Sequence, residues 1–128
     1  MKQIRIGVTG GRHYSDKKHV YTVLDLHKRA LDCLGLEMVL VVGDATGVDW
    51  IARIWASTAG VALAPEGDPE YGFIADWNQF GKAAGPLRNL KMINSGIDKL
   101  CAFPGGSGTK HMVENCERNG IKVVEYKP

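Results

Sequence analysis

Three glycine-rich turns and one helix start carry the residues of this sequence that can do chemistry. The sharpest turn is PGGSGT: Pro104, then Gly105, Gly106 and Gly108, with Ser107 and Thr109 as hydroxyl donors and a helical pattern directly after. Three glycines in four residues leave the backbone bare on one side, and free N–H groups at a helix start, aided by the helix dipole, favour an anion. Contact with a phosphate or ribose phosphate is the expected chemistry. A second turn presents Thr9, Gly10 and Gly11 and then Arg12, placed to bind a phosphate, to stack on a base, or to sit in solvent as a loop arginine. In GDATGVD, Gly43, Asp44 and Gly47 form the third turn, and Asp49 either caps the next helix or accepts from a ribose hydroxyl. The segment GKAAGPLRN adds Lys82, Arg88 and Asn89. Pro86 suits a first helical turn, so Arg88 and Asn89 fall at the helix start, facing a crevice or solvent, while Lys82 reaches the site or snorkels.

Several familiar chemistries are excluded by the same residues. Lys110 follows Thr109 outside the frame of a P-loop, and the first turn does not read as G-x-G-x-x-G, so ordinary NAD-dependent hydride transfer is not expected. His13 and His111 can meet across a crevice, but His19 and His27 belong to a helical pattern and no metal set is formed. Cys33, Cys101 and Cys116 lack metal-type spacing and read as core thiols. Neither a cofactor nor a metal is expected.

The elements that must position these turns follow from periodicity. Strand-length runs at Ile4–Thr9, Glu37–Val42, Val61–Ala64, Lys99–Phe103 and Lys122–Tyr126 alternate with helical patterns at Lys17–Leu34, Val48–Ala59, Asp76–Ser95 and Lys110–Asn119. Ser15 or Asp16 caps the first helix, and Gly35, Gly60, Gly96 and Gly120 stand where helices should stop. Near-continuous apolar strands between helices predict a three-layer α/β domain over residues 1–128 with a parallel five-stranded sheet. If the strand order is 3-2-1-4-5, the turns after strands one, two and four converge beyond the carboxyl ends, where ligands bind in such sheets. The irregular stretch from Pro65 to Trp77 predicts a long loop able to fold over a site.

With 128 residues, 45% of them hydrophobic, the chain supports one core. Sixteen Lys and Arg against fourteen Asp and Glu leave a net charge of +2, short of the basic excess that nucleic-acid binding draws on. The N-terminal apolar run breaks at a Gly pair, too short for a signal peptide or membrane span, so the expected location is the cytoplasm.

The segments VTGGRHYSD, GDATGVDWIARIWA, ADWNQFGKAAGPLRNLKMI and AFPGGSGTKHM, in this order and over nearly the whole chain, resemble the SLOG superfamily of Rossmann-like nucleotide-binding domains. Within it they are most similar to the small YspA/YpsA-related branch, common in bacteria and phages. Relatives include cytokinin-activating phosphoribohydrolases, molybdenum-cofactor carrier proteins, the DNA-processing protein A family and sensor domains for NAD-derived signals. The resemblance implies a nucleotide or nucleotide-derived ligand at the three turns. For the phosphoribohydrolases it implies an arginine before the last Gly-rich strand, matched by Arg88, and an acidic pair after PGGxGT, which His111 and Met112 replace here. Asp44 also stands where the related pattern more often has glycine.

The resulting expectation is a sensor, carrier or sequestering protein for AMP, ADP-ribose or a cyclic ADP-ribose-like signal. The alternative is an N-glycosidase acting on nucleoside 5′-monophosphates, with Arg88 and Glu114 as its catalytic groups. Single-stranded DNA binding is the weakest alternative. The helix VDWIARIWASTA confines its polar residues to a stripe of Asp49, Arg53 and Ser57, leaving Trp50, Ile51, Ile54 and Trp55 around the rest. Together with Leu87, Leu90 and Ile93 these predict a homo-oligomer, a dimer or tetramer, in keeping with the dimers that the resemblance implies.

Overall fold

The apolar runs form five strands, β1 (Gln3–Thr9), β2 (Glu37–Val41), β3 (Ala62–Leu63), β4 (Lys99–Ala102) and β5 (Lys122–Glu125). They lie in one sheet in the order β3-β2-β1-β4-β5, and every pairing is parallel. The structure is a computed structural model and describes residues 2–128. Five helices accompany the strands: α1 (Lys17–Cys33), α2 (Val48–Ala59), the one-turn α3 (Trp77–Phe80), α4 (Ala84–Ser95) and α5 (Ser107–Arg118).

Side chains that alternate along the strands feed two cores, as a sheet buried on both faces requires. Ile6, Val8, Met38, Leu40 and Cys101 pack with Val20 and Leu24 of α1 and with Ile51 and Trp55 of α2. Val39, Val41, Leu100 and Ala102 point the other way, onto Met92 and Ile93 of α4 and Met112 and Val113 of α5. Register sets Thr9 beside Ala102 and Gly7 beside Val41, so the turns after β1, β2 and β4 leave the same edge of the sheet. Strand order reverses between β1 and β4, where the crevice of a doubly wound sheet opens.

The caps and stops of the helices follow the sequence expectation, and some boundaries depart from it for identifiable reasons. Asp16, not Ser15, caps α1, its carboxylate accepting from His19 N at 3.1 Å. The helix-stop glycines at 35, 60, 96 and 120 all carry positive φ. The continuous helix expected over Asp76–Ser95 is broken: Gly81, at φ +55, ends α3, and a 3-10 turn over Gly81–Ala83 leads into α4. Helix α5 starts at Ser107 rather than Lys110, which places Ser107, Gly108 and Thr109 in its first turn. The loop from Pro65 is pinned rather than free: Phe73 N donates to Val42 O at 2.9 Å and its ring is buried in the second core. Only its far end, at Trp77, reaches the crevice.

Cys101 and Cys116 are buried, and desolvation pushes each thiol up to about 11, as inert core groups require. Cys33 departs from that reading, being exposed in the last turn of α1. Of the apolar residues considered for self-association, Ile51, Trp55 and Ile93 are used by the cores, whereas Trp50, Ile54, Leu87 and Leu90 remain exposed. Among the described residues no helix is long and apolar enough to cross a membrane.

Trp55 also ties α2 to α1, donating its indole N–H to Asp25 Oδ1 at 2.7 Å. Replacing Trp55 by Ala should cost about 3–5 kcal/mol of stability. Trp55→Phe keeps most of the buried ring and loses the hydrogen bond, a cost of about 1–2 kcal/mol. Urea unfolding of both variants measures the difference.

Candidate functional site

Three turns meet because their backbones approach more closely than side chains would allow. Gly11 N donates to Pro104 O at 2.9 Å, joining the turn after β1 to the turn after β4. A Cβ on Gly105 would collide with Thr109 Oγ1 and lie 2.7 Å from Gly11 N. The turn after β2 braces this pair from behind. Val48 N donates to Gly11 O at 3.2 Å, Thr46 Oγ1 donates to Arg12 O at 2.9 Å, and Gly47, at φ +71, lies against the Gly11 carbonyl. Gly10 in turn leaves room for the Val48 side chain. Gly106 and Gly108 are different: a Cβ on either would meet nothing within 4 Å. Packing inside the protein does not require glycine there, so their bare faces are the ones a bound molecule can approach.

Beyond these turns lies a cleft of about 1000 Å³ between the ends of β1 and β4 and the starts of α4 and α5. Of the residues singled out in the sequence, Thr9, Gly10, Gly11, Arg12, Asp49, Lys82, Arg88, Asn89 and all six of Pro104–Thr109 line it. Gly43, Asp44 and Gly47 do not; they stand behind the wall. Glu114 is also elsewhere. It lies two turns into α5, lining a separate groove with Glu117 and Tyr126, and its nearest cation is Lys110 at 3.9 Å.

Asp44 has a definite task in place of a turn glycine. Its Oδ1 accepts from Arg88 Nη1 at 2.9 Å and from Ala75 N at 3.2 Å, so one carboxylate holds both the cleft arginine and the end of the loop before α3. Gly43 supplies the space, since a Cβ there would press into the Arg88 guanidinium and lie 2.8 Å from Asp49 Oδ2. Arg53, from the polar stripe of α2, turns inward and donates to the carbonyls of Gly43 at 2.6 Å and Ala45 at 3.2 Å. Two cations and two carboxylates thus form one partly buried cluster, the arrangement that buried charge demands.

Asp49 is not the cap of α2, whose N-cap is Gly47 with no side-chain hydrogen bond. It is only 6% exposed and accepts from Ala45 N at 3.4 Å. Desolvation pushes its carboxyl up to about 6, although Arg88 and Arg53 pull the other way.

Asn89 connects α4 to α5. Its Oδ1 accepts from Arg88 Nε at 3.1 Å, while Nδ2 donates to Gly108 O and to His111 Nδ1, both at 3.3 Å. The arginine and the carbonyl together fix the amide orientation, so Nδ1 of His111 accepts and its ring hydrogen sits on Nε2. Reading the sequence for polar groups passed over Trp77, which also lines the cleft with Arg12 Cζ 5.8 Å from its ring centroid. The signal in the sequence was its place at the end of the Pro65–Trp77 stretch, expected to fold over a site, although the ring itself was not singled out.

The Asp49 shift has a sign that can be measured. Because its folded-state value lies above the unfolded one, the folded protein binds this proton more tightly, so its contribution to stability falls as pH rises from about 4 to about 6 and is level beyond. At 1.36 kcal/mol per unit the change amounts to about 3 kcal/mol. Urea unfolding across that pH range should show Asp49→Asn gaining stability relative to the natural protein as pH rises from about 4 to about 6.

Comparison with known proteins places this geometry in context. The model of the YspA, cpYpsA-related SLOG family matches residues 4–80. The gene 61 protein of Mycobacterium phage D29 is 35% identical over 129 residues, an alignment covering 95% of each chain. Among solved structures, the molybdenum cofactor binding protein of Rippkaea orientalis superposes with a TM-score of 0.62 at 20% identity, over 100% of this chain and 78% of that one. The molybdenum cofactor carrier protein of Chlamydomonas reinhardtii gives 0.60 at 21% identity, over 95% and 76%. At these identities the two structures share the fold.

Proposed function

The chain belongs to the YspA, cpYpsA-related SLOG family, and from that premise we propose that its cleft binds a nucleotide or nucleotide-derived small molecule, which the protein carries, senses or sequesters. The observation that carries this reading is the pair of open glycines, Gly106 and Gly108, at the start of α5, facing a cleft that also holds Arg12, Lys82 and Arg88. Backbone N–H groups, two hydroxyls and three cations suit an anionic group, and a cleft of about 1000 Å³ has room for a base and sugar as well. Two proteins of the same fold are named for binding or carrying a molybdenum cofactor, which supports a small-molecule carrier. Binding without cleavage is favoured because Asp49 is the sole carboxylate lining the cleft among the described residues, and it is already engaged by Ala45 N and the two arginines.

Calorimetry against AMP, ADP-ribose, cyclic ADP-ribose isomers and NAD should show binding of at least one. Arg12→Ala should weaken it by about 1.5–3 kcal/mol, the worth of a charge-assisted contact. Chromatography of the same mixtures should show no free adenine. Silence with every nucleotide would sink the reading, and base release abolished by Arg88→Ala would replace it with the N-glycosidase.

Self-association completes the proposal. Trp50, 55% exposed, and Ile54 on α2, with Leu87 and Leu90 on α4, are apolar surface that a second copy would cover. Light scattering at micromolar concentration should give a dimer or tetramer, and Trp50→Glu should reduce it to the monomer. A monomer at all concentrations would exclude the interface.

A further inference from the structure

Trp77 is the largest side chain lining the cleft, yet it is 49% exposed. One edge of its indole is seated: a Cβ on Gly85 would lie 3.3 Å from Cη2 and 3.7 Å from Cζ2. Its backbone is held as well. Trp77 N donates to Ala75 O at 3.2 Å, Asp76 caps the turn by accepting from Gln79 N at 3.1 Å, and Ala75 N is bound to the Asp44 carboxylate that also holds Arg88. An aromatic ring held at one edge and through its backbone therefore stands in the cleft, with the head of an exposed arginine, Arg12, over it at 5.8 Å.

We propose that Trp77 is the specificity-determining wall of the cleft, a platform on which the ligand's planar nitrogenous ring stacks in the place that Arg12 occupies in the free protein. The inference rests on the binding function proposed above and adds what the ligand must carry. Atoms in contact sit roughly 3.5–4 Å apart, so a ring held between indole and guanidinium needs about 7 Å. The observed 5.8 Å does not admit it, and Arg12 must move off the indole. Its guanidinium is then released toward the phosphate. A ring gains stacking contact with the indole in exchange for the Arg12 contact it displaces, whereas a bare sugar phosphate has no π-face to stack.

The test compares AMP with ribose 5-phosphate, by calorimetry, on the natural protein, Trp77→Phe and Trp77→Ala, with circular dichroism as the check on folding. Trp77→Ala should weaken AMP binding about tenfold and leave ribose 5-phosphate within about twofold, while Trp77→Phe keeps most of the AMP affinity. Saturating AMP should also quench tryptophan fluorescence in the natural protein and in Trp50→Phe but not in Trp77→Phe; this readout decides the matter if Trp77→Ala fails to fold or ribose 5-phosphate binds too weakly to measure. Equal losses for both ligands, no loss for either, or quenching that survives Trp77→Phe would overturn the platform while leaving nucleotide binding intact. If the natural protein binds neither compound nor any other nucleotide, both proposals fall together.

Discussion

The 2.9 Å hydrogen bond from Gly11 N to Pro104 O is the constraint on which the site depends. β1 and β4 are neighbouring parallel strands with Thr9 beside Ala102, so the chain leaving each has to turn outward at the same edge. Here both turns touch before they part, one toward Arg12 and the other into α5. That contact depends on the lack of side chains at Gly105, against Thr109 and Gly11, at Gly10, against Val48 of α2, and at Gly47, against Gly11 and Arg12 of the turn after β1. The donors at the start of α5 and the backbone of the turn after β1 are therefore held in relation to each other before anything binds, which lowers the ordering cost of binding.

Charge is divided along the cleft in a way the formal count conceals. Arg88 and Arg53 are matched by Asp44 and Asp49, and the group binds the turn after β2 to α4 as much as it faces a ligand. Removing one partner from such a cluster leaves an uncompensated buried ion, so these residues are structural supports of the inner wall. Surplus positive charge lies outward, on Arg12 and Lys82, both exposed. The inner wall is thus nearly neutral, and the rim is cationic.

Much of this was legible from local pattern. The apolar runs and the four helix stops emerged because alternation, helical spacing and glycine conformation are properties of a few adjacent residues, whereas the strand order was only a condition that the pairing of distant strands had to meet. The PGGSGT turn was equally visible. Other features were not. Gly81 fell within a long helical pattern, and its positive φ ends α3 and separates it from α4. Glu114 was one turn from His111 in sequence terms, but α5 lies so that the two line different surfaces. Arg53 stood in a polar stripe with Asp49 and Ser57 and was given no task, and its two backbone carbonyl partners show that it points inward.

The sequence by itself determined the elements, their alternation, and the presence of bare, hydroxyl-flanked backbone after three strands, since each follows from the conformational preferences of neighbouring residues. It could not distinguish among glycines or among carboxylates. Gly105 is required by Thr109 and Gly11, while Gly106, next to it, is open; Asp44 is a counter-ion behind the wall, while Asp49, five residues on, is inside the cleft. Only the tertiary structure decided these roles, because each depends on distances across the chain, as when Arg88 meets a carboxylate 44 residues away, and local preference carries no information about such pairs.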